Sequence, residues 1–179
     1  MSNPTSVLAT GRLSLRPWQE EDLEAAITFC SDPEVMKQVG NGVPWNSEET
    51  LAFLQQEIQH QQLHGFCRWA VVEPEQGAPI GFCGFVSASE GIEMGWRLAS
   101  GYWGRGLASE IAEAVLHHGQ ETLKLGPITA TIQHGNTASR RVAEKIGFIE
   151  SGLLLRNGQQ IVVFLAPGSR PARPPPDGS

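Results

Sequence analysis

The stretch Ile92–Glu110, IEMGWRLASGYWGRGLASE, decides the fold. Ile92–Ala99 reads as a strand. It runs into a glycine-rich turn, Gly101-Tyr102-Trp103-Gly104-Arg105-Gly106, and then straight into a helix over Leu107–Gly119, where Ile111, Val115 and Leu116 recur at helical spacing. A helix N-terminus leaves several backbone N–H groups unpaired and carries a partial positive charge. Glycines let the backbone approach an anion closely, and Arg105 adds a full charge. The stretch therefore reads either as a phosphate or pyrophosphate cradle or as a plain connecting turn. Two familiar phosphate loops are excluded. No GxxxxGK[ST] occurs, and the glycines are spaced GxxGxG rather than GxGxxG, so neither a Walker A loop nor a dinucleotide fingerprint is present.

Working outward from that stretch, Arg12–Pro17 alternates with Leu13 and Leu15 on one side and predicts a first strand. The first ten residues read as loose. Glu20–Cys30, Asp32–Gln38 and a segment capped by Asn46 or Ser47 predict three helices. Arg68–Glu73 and Ile80–Ser87 predict strands around the turn Pro74–Pro79. Downstream, Ile128–His134 is a β-branched strand, Thr137–Ile146 a helix ended by Gly147, and Phe148–Leu155 with Gln159–Leu165 a hairpin around Asn157-Gly158. The order β-α-α-α-β-β-β-α-β-α-β-β is that of an α+β sheet of seven strands with helices on its faces, not of a doubly wound fold. The domain is expected over 10–166. Residues 167–179, PGSRPARPPPDGS, have almost nothing to bury and are expected to form a disordered Pro-rich tail.

Composition excludes several classes. A chain of 179 residues with 40% hydrophobic and 18% charged residues is one globular domain. Net charge −6 argues against a nucleic-acid partner. No run approaches the roughly 18 apolar residues of a membrane span, and no secretory signal is visible, so a cytoplasmic protein is expected. Cys30, Cys67 and Cys83 are scattered without CxxC spacing and read as reduced, buried thiols. His60 and His64 stand at i, i+4 but lack the glutamate of HExxH, so no metal site is expected.

A second polar cluster, His134-Gly135-Asn136-Thr137-Ala138-Ser139-Arg140-Arg141, follows the next strand. Asn136 can cap the helix that begins there. If the two strands are parallel neighbours, this strand end lies beside the glycine turn, a usual place for a ligand. With both sites in view, the chain resembles the GNAT superfamily of acyl-CoA-dependent N-acyltransferases, and most closely its ribosomal-protein N-acetyltransferase-like (RimJ/RimL-type) branch. Four stretches carry the resemblance, in order: Thr10–Ala25 (TGRLSLRPWQEEDLEA), Ser31–Gly40 (SDPEVMKQVG), Gly101–Glu110 (GYWGRGLASE) and Asn136–Phe148 (NTASRRVAEKIGF).

The resemblance implies a mixed, mostly antiparallel twisted sheet with a splayed central strand pair. It implies that the family's pyrophosphate loop, [QR]xxGx[GA], falls on Trp103-Gly104-Arg105-Gly106-Leu107-Ala108, with Ser109 next in the helix. Trp103 departs from the usual Gln or Arg. The pantetheine arm of acetyl-CoA is expected beside the backbone of Trp96, Arg97 and Leu98, and near Asn136 and Ser139. Glu93 stands where the family often has its general base, and a backbone N–H near Leu98 would polarise the acetyl carbonyl. The tyrosine that many relatives place seven residues after the Asn is Ala143 here, which leaves Ser139, or a water it holds, as the candidate proton donor. Trp45 is the candidate for the acceptor pocket. As plain structural residues, Glu93 would be a solvated strand carboxylate, Ser139 a first-turn helix residue and Trp45 core.

The function so implied is acetyl transfer from acetyl-CoA to a primary amine by direct attack in a ternary complex. The expected acceptor is a protein N-terminal α-amine. The alternatives are a polyamine, amino acid or antibiotic amine, or a non-catalytic acyl-CoA-binding domain. No nucleic-acid or membrane partner is implied, and the chain would act as a monomer or homodimer.

Overall fold

The computed structural model describes residues 5–89 and 91–169. The alternation around Leu13 and Leu15 produces a short strand, Ser14–Arg16, but it is not the first. Leu8–Ala9 (β1) lies antiparallel to it, with Leu8 opposite Leu15. The first ten residues read as loose because their local pattern is weak. In the structure Val7 and Leu8 pack on the core and the Val7 N–H donates to Leu15 O at 2.8 Å. The open edge of Ser14–Arg16 (β2) supplies that pairing, a tertiary demand with no local signal.

The remaining elements follow the predicted order. They are α1 (Leu23–Cys30), α2 (Pro33–Met36), α3 (Ser47–His64), β3 (Arg68–Val72), β4 (Pro79–Ala88), β5 (Gly91–Leu98), α4 (Leu107–His117), β6 (Ile128–Gln133), α5 (Thr137–Lys145), β7 (Ile149–Arg156) and β8 (Gln159–Leu165). Helix α3 starts on a reciprocal cap: Asn46 Oδ1 accepts from Glu49 N–H, and the Glu49 carboxylate accepts from Asn46 N–H. It stops at Gly65, whose φ of +78° is left-handed. Asn157 and Gly158, with φ of 52° and 76°, form the two-residue turn between β7 and β8, the conformation that suits the strands' twist.

The strands form one eight-stranded sheet in the order β1-β2-β3-β4-β5-β6-β8-β7, one more than the sequence alone suggests. Successive side chains of β4 point to opposite faces. Phe82 meets Phe53 of α3 at 5.3 Å between ring centroids, whereas Phe85 lies against Gly119 just beyond α4. Helices α1 and α3 thus cover one face, and α4 with α5 covers the other. Leu15, Phe29, Trp69, Phe85, Ile111 and Phe164 are fully buried between these layers. Among the described residues, no helix is long and apolar enough to cross a membrane.

Every neighbouring strand pair is antiparallel except β5–β6. That parallel ladder holds only two pairs, Ile92–Ile128 and Glu93–Thr129, after which the strands part. Of the expected tail, residues 170–179 lie outside the described residues. Pro167–Ser169 lie against the sheet end: Gln120 Nε2 donates to Pro167 O at 2.6 Å, and the Ser169 hydroxyl accepts from Ile128 N–H at 3.1 Å.

Candidate active site

Where β5 and β6 part they leave a cleft of about 760 Å³. Strand geometry sets what faces it. Ala99 N–H donates to Ile80 O on β4, so odd-numbered backbone groups of β5 are spent on β4. Those of Met94, Trp96 and Leu98 turn to the gap. One of them is already engaged: Trp103 Nε1 donates to Leu98 O at 2.9 Å, tying the glycine-rich turn back onto the strand. Trp103 is 48% exposed, so this anchor sits at the cleft mouth.

The turn opens directly into α4. Gly104 and Gly106 have φ of +73° and +74°, in the left-handed region that favours glycine. Gly106 is the N-cap and offers no side-chain acceptor, and the first helical bond is Glu110 N–H to Gly106 O at 3.1 Å. The amides of Gly106, Leu107, Ala108 and Ser109 therefore find no acceptor among the described residues. A Cβ placed at Gly104 would meet nothing within 4 Å. Four consecutive free amides at a helix N-terminus beside open space fit a pyrophosphate-bearing cofactor.

The loop is fastened from outside. The Glu110 carboxylate accepts from the Thr10 hydroxyl at 2.6 Å, from Arg12 N–H at 3.1 Å and from Arg12 Nε at 2.7 Å. Arg12 Nη1 in turn donates to Arg105 O at 3.0 Å. The Thr10 hydroxyl, followed by Arg12, holds the Glu110 carboxyl below its ordinary range. Arg105 itself does not line the cleft; its guanidinium lies 5.6 Å from the Tyr102 ring. Tyr102 donates through its hydroxyl to Glu73 at 3.1 Å.

On the sheet face covered by α1 and α3, Glu93, Gly95 and Arg97 of β5 stand opposite Thr129, Thr131 and Gln133 of β6. Thr131 donates its hydroxyl to Glu93 Oε1 at 2.6 Å, bridging the gap just beyond the last ladder pair. Gln133 Nε2 donates to Gly40 O at 2.7 Å, which holds the segment after α2 over the cleft. Arg97 packs its guanidinium between Trp45 and Phe82, 4.9 Å from each ring centroid. Arg68, the other arginine on this floor, is neutralised by the buried Glu57 carboxylate.

Most of the residues singled out from the sequence come together here. Glu93, Trp96, Arg97, Leu98, Trp103, Gly104, Gly106, Leu107, Ala108, Ser109, Asn136 and Ser139 all line the cleft. The Asn136 side chain caps α5 by accepting from Ser139 N–H at 3.1 Å, which leaves its Nδ2 donors for the gap. Trp45 does not line the cleft; it packs on Phe53 at 5.7 Å and reaches the site through Arg97. His60 and His64 are far from it in role: His60 Nδ1 bonds Phe66 O at 2.7 Å and its Nε2 accepts from Ser87 N–H at 3.1 Å. The sequence reading missed Thr131, whose alternation with Ala130 and Ile132 does signal a polar strand face. It also missed the Thr10–Arg12–Glu110 fastening, which has no local signal.

Known proteins are similar to this chain in sequence and fold. A sequence signature described as an acetyltransferase (GNAT) domain matches residues 12–149. The uncharacterized N-acetyltransferase p20 of Bacillus licheniformis is 32% identical over 151 residues, covering 82% of this chain and 84% of the relative. The crystal structure of a GNAT-family acetyltransferase from Bacillus anthracis superposes with a TM-score of 0.77 at 29% identity, covering 90% of this chain and 97% of that one. The ribosomal L7/L12 alpha-N-protein acetyltransferase RimL, solved with coenzyme A, shares the fold with a TM-score of 0.74 at 18% identity, over 90% and 97% of the two chains. The signature spans the parted strands and the glycine-rich helix start together: the chain belongs to the GNAT acetyltransferase family and is an acyltransferase.

Proposed function

We propose that the protein transfers the acetyl group of acetyl-CoA to a primary amine, and that the acceptor is a protein N-terminal α-amine. The observation that carries this reading is the two-sided cleft. Unpaired amides of α4 lie at one mouth, and a carboxylate held across the gap by Thr131 lies on the other face. Bound acetyl-CoA would supply the activated thioester.

The chain's own groups divide the remaining work. The amides of Gly106 to Ser109 hold the pyrophosphate. The free backbone edge at Met94 and Trp96, with the N–H of Leu98, aligns an amide-bearing arm as an added strand would and leaves an N–H for the acetyl oxygen. Thr131 fixes Glu93 through Oε1, so Oε2 accepts the amine proton directly or through a water. Ser139 donates a hydrogen bond towards the leaving sulfur while water supplies the proton. On the acceptor face the cleft is lined by Lys37 to Gly40 and by Asn157, a flank that suits a chain terminus.

Thiol release from acetyl-CoA, measured against N-terminal peptides, polyamines and free amino acids, tests the proposal. Peptides are expected to be turned over with the highest kcat/KM. Turnover of polyamines or amino acids with none of peptides would overturn the N-terminal acceptor and leave the acyltransferase chemistry standing.

A further inference from the structure

Among the described residues no carboxylate pairs with Arg97, and its one side-chain bond there is a weak one from Nη1 to Cys30 Sγ at 3.8 Å. Nε and Nη2 form the side-on fork that matches a carboxylate; neither is a buried atom without a partner, and Arg97 lines the cleft. The two rings pack against the guanidinium, 4.9 Å to each centroid, and restrict its motion before anything binds. Burial lowers the arginine's pKa without discharging it, a cost that an arriving anion offsets.

The rest of the cleft agrees. The chain as a whole carries −6, yet apart from Arg68, which Glu57 pairs, the lining holds Lys37, Arg97 and Arg156 against Glu34 and Glu93. Arg97 stands on the acceptor face, opposite to the face on which α4 presents its amides. Resting on the reading that the acceptor is a peptide N-terminus, we infer that Arg97 recognises an acidic side chain close to that terminus. Spacing sets the position. Glu93 and Arg97 lie four residues apart on one strand face, about 13 Å between Cα atoms at 3.3 Å per residue. A free α-amino acid, with its carboxylate one carbon from the amine, is too short to reach both. An Asp or Glu at the second or third position of a peptide reaches from an amine beside Glu93 to the Arg97 fork.

The test uses seven-residue peptides in matched pairs, Glu against Gln at position two and Asp against Asn at position three, with free glutamate as a further acceptor. For the native enzyme, kcat/KM is expected to favour the acidic member of at least one pair by about 10- to 100-fold, the span of a bidentate charge-assisted contact. In Arg97→Met, which keeps the packed stem and loses the fork, that ratio is expected to fall close to one, with the change in KM. Arg97→Lys is expected to recover only part of it. Equal turnover of both members by the native enzyme overturns the inference while leaving the N-terminal acceptor intact, and needs no variant to fold. Free glutamate outpacing every peptide overturns both. A ratio that persists in Arg97→Met, or a loss of coenzyme A affinity in place of the ratio, assigns Arg97 another role and also overturns it.

Discussion

Glu110 sits outside the cleft yet fastens the glycine-rich turn at its mouth, so replacing it separates fastening from chemistry. In Glu110→Ala the Thr10 hydroxyl, the Arg12 amide and the Arg12 guanidinium all lose the carboxylate that accepts from them. Arg12 is 49% exposed, so water takes up much of its loss, and the ion pair alone is worth about 0–1 kcal/mol. The part-buried Thr10 bond and the amide bond, both to a charged oxygen, raise the total to about 2 kcal/mol. For a domain of this size that is about 4–8 °C in Tm. Arg12 then no longer holds Arg105 O, so coenzyme A affinity is expected to fall in the same variant. Calorimetric melts and coenzyme A titrations of Glu110→Ala, Arg12→Ala and the double variant check this, and the double variant should be no worse than Glu110→Ala alone. The acid side adds a second readout. A carboxyl whose folded pKa lies below its unfolded value contributes stability that is complete above about pH 4.3 and is lost as pH falls through the folded pKa. Glu110→Gln should therefore flatten the fall in Tm below that pH. Fully additive losses in the cycle, with unchanged coenzyme A affinity, would refute the fastening.

Three further outcomes follow from the proposed roles. Glu93→Gln keeps the bond from Thr131 and removes the base, so kcat should fall by about 10²–10⁴ with coenzyme A affinity nearly unchanged; a fall of less than about threefold would make Glu93 a structural residue. Ser139→Ala should lower kcat by about one hydrogen bond, 1–2 kcal/mol, and spare the KM of the amine; full activity in steady-state assays would leave the donor unassigned. Gly106→Val places a β-branched residue at φ +74° and a side chain beside the free amides, so titration calorimetry should show coenzyme A binding largely lost; a folded variant that binds normally would move the pyrophosphate elsewhere.

The glycine turn, the β5-to-α4 passage and the second cluster at Asn136 were legible because each is a local pattern with a local cause. The edge strand Leu8–Ala9 was not, because two residues carry no period and the cause is the open edge of β2. The Arg12–Glu110 contact joins residues 98 apart, and nothing in either segment announces the other. Trp45 illustrates a middle case. The resemblance put it in the acceptor pocket, but the packing seats it on Phe53 and against Arg97, one layer removed from the cleft.

The two-pair ladder between β5 and β6 also bears on how the molecule breathes. Strands β1–β5 form one hydrogen-bonded raft and β6, β8 and β7 another, and among the described residues the strand ladders join them only at Ile92–Ile128 and Glu93–Thr129. Cooperative opening should follow that seam, with the amides of Met94, Trp96 and Leu98 exchanging with solvent far faster than those of Cys83 or Phe85 in the middle of the larger raft. A guest that carries its own amides into the seam restores the missing rungs. Native-state hydrogen exchange would then register it as a gain in the coupling between the two halves, so for this sheet occupancy and integrity are one measurement.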